Sequence, residues 1–157
     1  SSVGTLYPAR YRYVRMRTED DDSPALSPGK IVFWDTTLTN WQNYYQVTRD
    51  ENLSSSDNAI MIAGIYLGGF EPGNYGFICD AGMVDVRFRS VLTAAGAIGS
   101  RVYAAATGDV GDDQGTADVL TTDSTSVANT RLLGHAVTAP AASALDTILL
   151  TFKNILG

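Results

Sequence analysis

The residues that most constrain this fold lie at positions 76–89 and read Gly-Phe-Ile-Cys-Asp-Ala-Gly-Met-Val-Asp-Val-Arg-Phe-Arg. The second half alternates, with Val84, Val86 and Phe88 on one side and charged residues on the other. A period of two with one apolar and one polar face is typical of a half-buried antiparallel strand. Residues 80–82 (Asp-Ala-Gly) combine a turn former with a glycine, which predicts a hairpin at the centre of a β-protein.

Other apolar runs bounded by turn residues continue the β pattern. Residues 31–34 follow a Ser-Pro-Gly turn, and their four successive apolar side chains predict a strand covered on both faces. Residues 59–67 are the most apolar segment, and Gly64 within them indicates a central strand with a bend. Beyond the central hairpin, strands are expected at residues 31–34, 40–48, 59–67, 101–103, 131–137 and 147–152.

Composition agrees with a folded β-domain. A length of 157 residues favours one domain with a sizeable core, and 45% hydrophobic against 18% charged residues excludes a disordered chain or a coiled coil. One cysteine excludes an internal disulfide framework. No apolar run approaches the roughly 20 residues that cross a bilayer, so no membrane partner is expected. We predict an all-β fold, a small antiparallel β-barrel or β-sandwich with an extended N-terminal arm.

Charge is segregated along the chain. The first 17 residues carry four arginines and no acid, four acids follow at positions 19–22, and the net charge is −6. We therefore divide the chain into an N-terminal arm with an acidic hinge (1–28) and a body (29–157). Residues 1–17 have two interpretations: an edge strand packed on its own barrel, or an arm that reaches a partner, since Tyr and Arg are enriched at interfaces. The arm interpretation predicts that deleting residues 1–17 leaves the body folded.

A weak internal echo links two parts of the sequence. Residues 62–67 lead through Pro72 into an apolar run, and residues 132–137 lead through Pro140 into another. Because the spacing differs by two residues, we interpret the echo as a shared hairpin pattern rather than a true repeat.

The sequence contains few of the residues that usually build catalytic or metal-binding sites. His135 and Cys79 are the only residues of their types, and each lies in an apolar strand pattern, which favours packing roles. Asp109, Asp112 and Asp113 are the best candidates for a hard cation such as calcium, but their spacing is not that of an EF-hand loop and a solvated acidic turn is favoured. We expect no enzymatic activity, no catalytic or metal residues and no cofactor. Four arginines on an acidic chain also make nucleic acid an improbable partner.

Several turn-and-strand motifs resemble those of small β-proteins that decorate the heads of tailed phages. They lie at residues 27–35 (Ser-Pro-Gly-Lys-Ile-Val-Phe-Trp-Asp), 62–68 (Ile-Ala-Gly-Ile-Tyr-Leu-Gly), 73–79 (Gly-Asn-Tyr-Gly-Phe-Ile-Cys), 94–103 and 132–137. The likeness spans residues 28–152 and does not include the arm. It implies a capsid decoration, or cement, protein on the outer surface of the virion, made in the host cytoplasm.

The resemblance also implies partners: the major capsid protein of the virus and two further copies of the chain in a homotrimer. We assign capsid binding to the arm, and the candidate residues are Leu6, Tyr7, Arg10, Tyr11, Arg12, Tyr13, Arg15 and Arg17. The alternative is a carbohydrate- or receptor-binding β-module of a virion fibre or surface protein, which requires an exposed, coplanar aromatic platform. The candidate platform residues are Trp34, Trp41, Tyr44, Tyr45 and Tyr75.

Overall fold

The computed structural model describes residues 8–18, 26–37, 45–50, 61–105, 115–119 and 131–152, and these contain strands and no helix. The prediction of an all-β fold is confirmed. The strands are β1 (Ala9–Met16), β2 (Ile31–Trp34), β3 (Gln46–Thr48), β4 (Ile62–Tyr66), β5 (Tyr75–Arg87), β6 (Arg101–Ala104), β7 (Ala117–Val119), β8 (Leu132–Ala136) and β9 (Leu145–Leu150).

Five strands form a closed barrel, which we call unit 1. Its order is β1-β3-β2-β4-β5, and antiparallel pairing of β1 with residues 75–82 of β5 closes the ring. Each of the five strands contributes to one apolar cluster, which therefore fills the barrel interior. The cluster consists of Val14, Met16, Val32, Trp34, Val47, Ala63, Tyr66, Phe70 and Ile78.

The expected hairpin at residues 80–82 is wrong. Residues 75–87 form one continuous strand, β5, which pairs with β1 and β4 in its first half and with β9 in its second half. Gly82 has a φ of 92°, and a Cβ there would lie 1.9 Å from the carbonyl oxygen of Pro8. The glycine thus serves a close approach of two chain segments rather than a turn. The expected alternation is confirmed, with Val84, Val86 and Phe88 buried and Asp85 exposed.

The second half of β5 begins another five-strand arrangement, which we call unit 2. Its order is β5-β9-β8-β6-β7, and a single parallel bridge between Phe88 and Ala117 brings β7 back to the end of β5. Its core merges with the outward-facing side chains of β2, β4 and β5, including Ile31, Phe33 and Ile65. One apolar cluster therefore holds the two units together.

The two units share the same strand register. In unit 1, β2 pairs with β4 as Ile31–Ile65 and Val32–Gly64, and the register shifts after Val32. In unit 2, β6 pairs with β8 as Arg101–His135 and Val102–Gly134, and the register shifts after Val102. Each residue of the second set stands 70 positions after its counterpart in the first (31 and 101, 64 and 134).

The correspondence extends to the remaining pairings. Cys79 pairs with Ile65 as Leu149 pairs with His135, again 70 positions later. The Tyr13–Phe77 pair of β1 and β5 matches the Asp85–Thr147 pair of β5 and β9. The residue numbers differ by 72 on one strand (13 and 85) and by 70 on the other (77 and 147). The parallel Met16–Val47 pair matches Phe88–Ala117. The chain is therefore a structural duplication, and our interpretation of the echo as a mere hairpin pattern is wrong.

The described part of residues 1–17 is a strand packed on its own barrel, which was the first of the two interpretations. Ala9–Met16 pairs with β5 along seven positions and with β3 at Arg15 and Met16, and Val14 and Met16 lie in the barrel interior. Deleting residues 1–17 would remove a wall of unit 1, so the strand pairing now predicts that this deletion destabilises the body, in place of the earlier expectation that the body stays folded. Residues 1–7 lie outside the described part of the chain.

The other expected strands are confirmed, β2 with the expected bounds and β3, β4, β6, β8 and β9 with different ends. As expected, β2 is buried at every position. The candidate cation ligands Asp109, Asp112 and Asp113 lie outside the described residues.

The duplication predicts that replacing either of two matched glycines destabilises the fold to a similar extent. A Cβ at Gly64 would lie 2.4 Å from the carbonyl oxygen of Cys79, and one at Gly134 would lie 1.9 Å from that of Leu149. Because a backbone atom blocks each site, Gly64→Ala and Gly134→Ala should each lower the free energy of unfolding by about 1–3 kcal/mol, the usual cost of overpacking. Urea unfolding measures both values. The exposed substitution Ala95→Ser serves as control, and a tolerated alanine at either glycine would contradict the matched packing.

Candidate functional site

Four exposed aromatic side chains cluster on the outer face of unit 1, and we call them the aromatic patch. They are Tyr11 and Tyr13 on β1 and Tyr75 and Phe77 on β5, each 50–58% exposed. The Tyr13 and Tyr75 rings lie 5.6 Å apart and are nearly parallel at 16°, while Phe77 tilts by 56° at 5.1 Å from Tyr13. Every strongly exposed aromatic side chain of the described residues belongs to this patch, and such patches on soluble proteins often mark binding sites.

Strand alternation produces this surface. On β1, Arg12, Val14 and Met16 face inward, so Tyr11 and Tyr13 face outward. Cross-strand pairing then sets Tyr13 directly opposite Phe77, and Arg15 opposite Tyr75.

The arginines beside the patch are already bound within the chain. Asp80, whose side chain is fully buried, accepts hydrogen bonds from Arg10 Nε at 2.8 Å and Arg12 Nε at 2.9 Å. The Arg12 guanidinium also lies 5.9 Å from the ring centre of Trp34. Arg15 donates a hydrogen bond to Gln46. These contacts tie β1 to β5 and β3, so the arginines hold the strand in the barrel.

Arg17 belongs to a second buried network around Asp35. Its Nη1 lies 2.8 Å from Asp35 Oδ2, and the same carboxylate accepts hydrogen bonds from Gln46 and from the backbone and hydroxyl of Thr37. Burial opposes ionisation of Asp35, but the hydrogen bonds from Thr37, Arg17 and Gln46 outweigh it and hold its pKa below the usual value.

The capsid-binding residues expected from the sequence thus separate into three groups. Tyr11 and Tyr13 are exposed and belong to the aromatic patch. The arginines at positions 10, 12, 15 and 17 are engaged within the barrel. Leu6 and Tyr7 lie outside the described residues. Phe77 was missed, although the spacing of Tyr75 and Phe77 by two already placed both rings on one face of a strand.

The aromatic platform that the sequence predicted for a sugar-binding module does not assemble from the expected residues. Trp34 is buried inside unit 1, Tyr45 is half-buried, and Tyr75 alone among the described members is strongly exposed. Trp41 and Tyr44 lie outside the described residues. The nearly parallel partner of Tyr75 is instead Tyr13.

His135 and Cys79 occupy the strand positions expected for them. The Nδ1 atom of His135 lies 3.3 Å from the carbonyl oxygen of Gly99, a local hydrogen-bond partner. Cys79 is fully buried, and burial raises the pKa of its thiol, which lowers the thiolate fraction. Among the residues that the structure describes, no group of three or more His, Cys, Asp or Glu side chains is placed to hold a metal ion.

Comparisons with known proteins find no match to this chain, either among protein-family models or among curated proteins. No helix in the described segments has the length and apolar character needed to span a membrane.

The Asp35 network predicts an acid-sensitive contribution to stability. Because the folded pKa is lower than the value of about 3.9 in the unfolded chain, this contribution is complete above that value and is lost as the pH falls through the folded pKa. Asp35→Asn should therefore be less stable than the wild type near neutral pH, and the gap should narrow below about pH 4. Urea unfolding at a series of pH values measures this difference in the free energy of unfolding. Thr37→Val serves as a milder variant, since it removes only the hydroxyl donor to Asp35 and keeps the backbone donor. A gap that stays constant with pH would contradict this role.

Proposed function

We propose that this protein is a capsid decoration protein that binds the outer surface of an assembled phage head and stabilises it without covalent bonds. The observation that carries the proposal is the exposed aromatic patch on a closed barrel. A closed barrel hides strand edges that would otherwise aggregate at high local concentration. The patch supplies the kind of side chain that dominates binding energy at protein interfaces.

The physical mechanism needs no catalytic residue. A protein that binds the assembled shell and not its separated subunits stabilises the shell by mass action, by about 2.7 kcal/mol per site at a concentration one hundred times Kd. The major capsid protein would be the partner, and the resemblance to head-decorating proteins supports attachment as a homotrimer. In this proposal the protein is made in the host cytoplasm and then attaches to the outside of the virion.

A carbohydrate- or receptor-binding module is the second candidate. The near-parallel Tyr13 and Tyr75 rings favour it, since flat aromatic faces can stack on sugar rings. Binding of the purified protein to a glycan array, lost on replacement of Tyr13, would support this function in place of capsid binding.

Co-sedimentation with expanded, undecorated capsids of the parent virus tests the proposed function. We expect saturable binding at a fixed number of copies per capsid and a higher temperature of capsid disruption, because only the assembled shell offers the binding sites. Separated capsid subunits serve as control and should bind much more weakly. Absence of saturable binding to the intact shell would contradict the proposal.

A further inference from the structure

We infer that the aromatic patch binds an uncharged, apolar surface of the capsid protein through its rings, and that the neighbouring arginines hold β1 in the barrel instead of clamping the partner. This inference rests on the proposed function and specifies the chemistry of the contact. It replaces the arginine-containing binding arm expected from the sequence.

The duplication supplies an internal reference for the patch. The positions of Tyr13 and Phe77 correspond in unit 2 to Asp85 and Thr147, which form the same cross-strand pair. There the Thr147 hydroxyl donates a 2.7 Å hydrogen bond to the Asp85 carboxylate. The same strand pairing therefore forms without aromatic side chains, so the fold does not require rings at these positions. Tyr75 likewise corresponds to Leu145.

Engagement of the arginine side chains within the chain favours an uncharged partner surface. The Arg10 and Arg12 side chains share the buried Asp80 carboxylate, and Arg17 is paired with Asp35. Two carboxylates thus offset two of the four positive charges at positions 10–17, and all four guanidinium groups donate hydrogen bonds within the chain. Contacts that depend on ring burial should respond weakly to salt, whereas a contact between opposite charges would weaken as salt screens it.

The size of the patch sets the strength expected of one contact. An aromatic side chain buries about 150–250 Å², so four half-exposed rings leave roughly 400 Å² to be covered. A standard interface takes about 800 Å² from each partner. The patch alone is thus about half of such an interface, and retention on the shell should depend on additional contacts by the same or neighbouring copies.

Ring geometry and polar partners favour a protein over a glycan. Phe77 is tilted by 56° from Tyr13 and has no hydroxyl, so the three packed rings do not share one plane. Sugar sites also use carboxylate or amide groups to bind hydroxyls, yet the nearby Asp80 carboxylate is engaged by arginines and Gln46 by Arg15 and Asp35. An irregular aromatic surface suits apolar side chains of a protein better than the flat face of a pyranose.

The double substitution Tyr13→Asp/Phe77→Thr tests the inference in the full chain. It places at the patch the residues that unit 2 carries at the matched positions. Because the same strand pairing already forms with these residues in unit 2, we expect the variant to fold. The control is Val91→Ser/Ile98→Ser, which removes exposed apolar side chains (72% and 75% exposed) from unit 2. Circular dichroism and thermal unfolding check that both variants fold.

Affinity for undecorated capsids is then measured at low and high salt. We expect the patch variant to lose at least about tenfold in affinity, the control and Arg15→Gln to bind like the wild type, and salt to change wild-type binding by less than about threefold. Wild-type affinity in a folded patch variant would overturn the inference while leaving the proposed function intact. A large loss in Arg15→Gln, or steep salt dependence, would overturn the uncharged contact.

Failure of the wild type itself to bind capsids would overturn the proposed function and the inference together. Binding to glycans that disappears in the patch variant would assign the same surface to carbohydrate and would also overturn the inference. Should the patch variant fail to fold, the single substitution Tyr75→Leu, which carries the matched unit 2 residue, gives the same comparison with a smaller change.

Discussion

The pairing of one long strand with two sets of partners is the constraint on which the rest of this structure depends. β5 (Tyr75–Arg87) closes unit 1 against β1 and continues without a turn into unit 2 against β9. Gly82 makes this continuity possible, because its backbone lies where a side chain would collide with the carbonyl group of Pro8. The two units share this strand, and one apolar cluster packs between them.

The same pairing explains how a single strand, β1, combines structural and binding roles. Its inward side chains fill the barrel, Arg10 and Arg12 bind the buried Asp80 carboxylate, and Arg15 donates a hydrogen bond to Gln46, so the strand is held along its length. Its outward tyrosines are consequently presented on a rigid surface. Rigid presentation lowers the entropy lost on association, which benefits a contact of modest area. In unit 2 the matched surface carries the Asp85–Thr147 pair, so the units share a fold but differ in surface chemistry.

Much of the strand content could be predicted from the sequence, because burial imposes visible periods on residues such as 84–88 and 31–34. The turn expected at Gly82 was wrong. A glycine with positive φ occurs in hairpin turns, but it is also needed where two chain segments approach closely, as Gly82 and Pro8 do. The sequence showed the duplication only as a weak echo at residues 62–67 and 132–137, because most matched positions differ in chemistry, as Ile31 and Arg101 do. The spacing of Tyr75 and Phe77 indicated a shared strand face, but the packing of Phe77 on Tyr13 joins residues far apart in sequence and became visible only in the fold.

The most direct measurement is electron cryo-microscopy of capsids of the parent virus decorated with the wild-type protein, at a resolution that shows side chains. We predict that the outer face of β1 and β5 lies against the shell, with the rings of Tyr13 and Phe77 packed on apolar residues of the capsid protein. The arginines at positions 10 and 12 should remain on Asp80 in the bound state. An attached protein whose aromatic patch points into solvent would contradict this assignment.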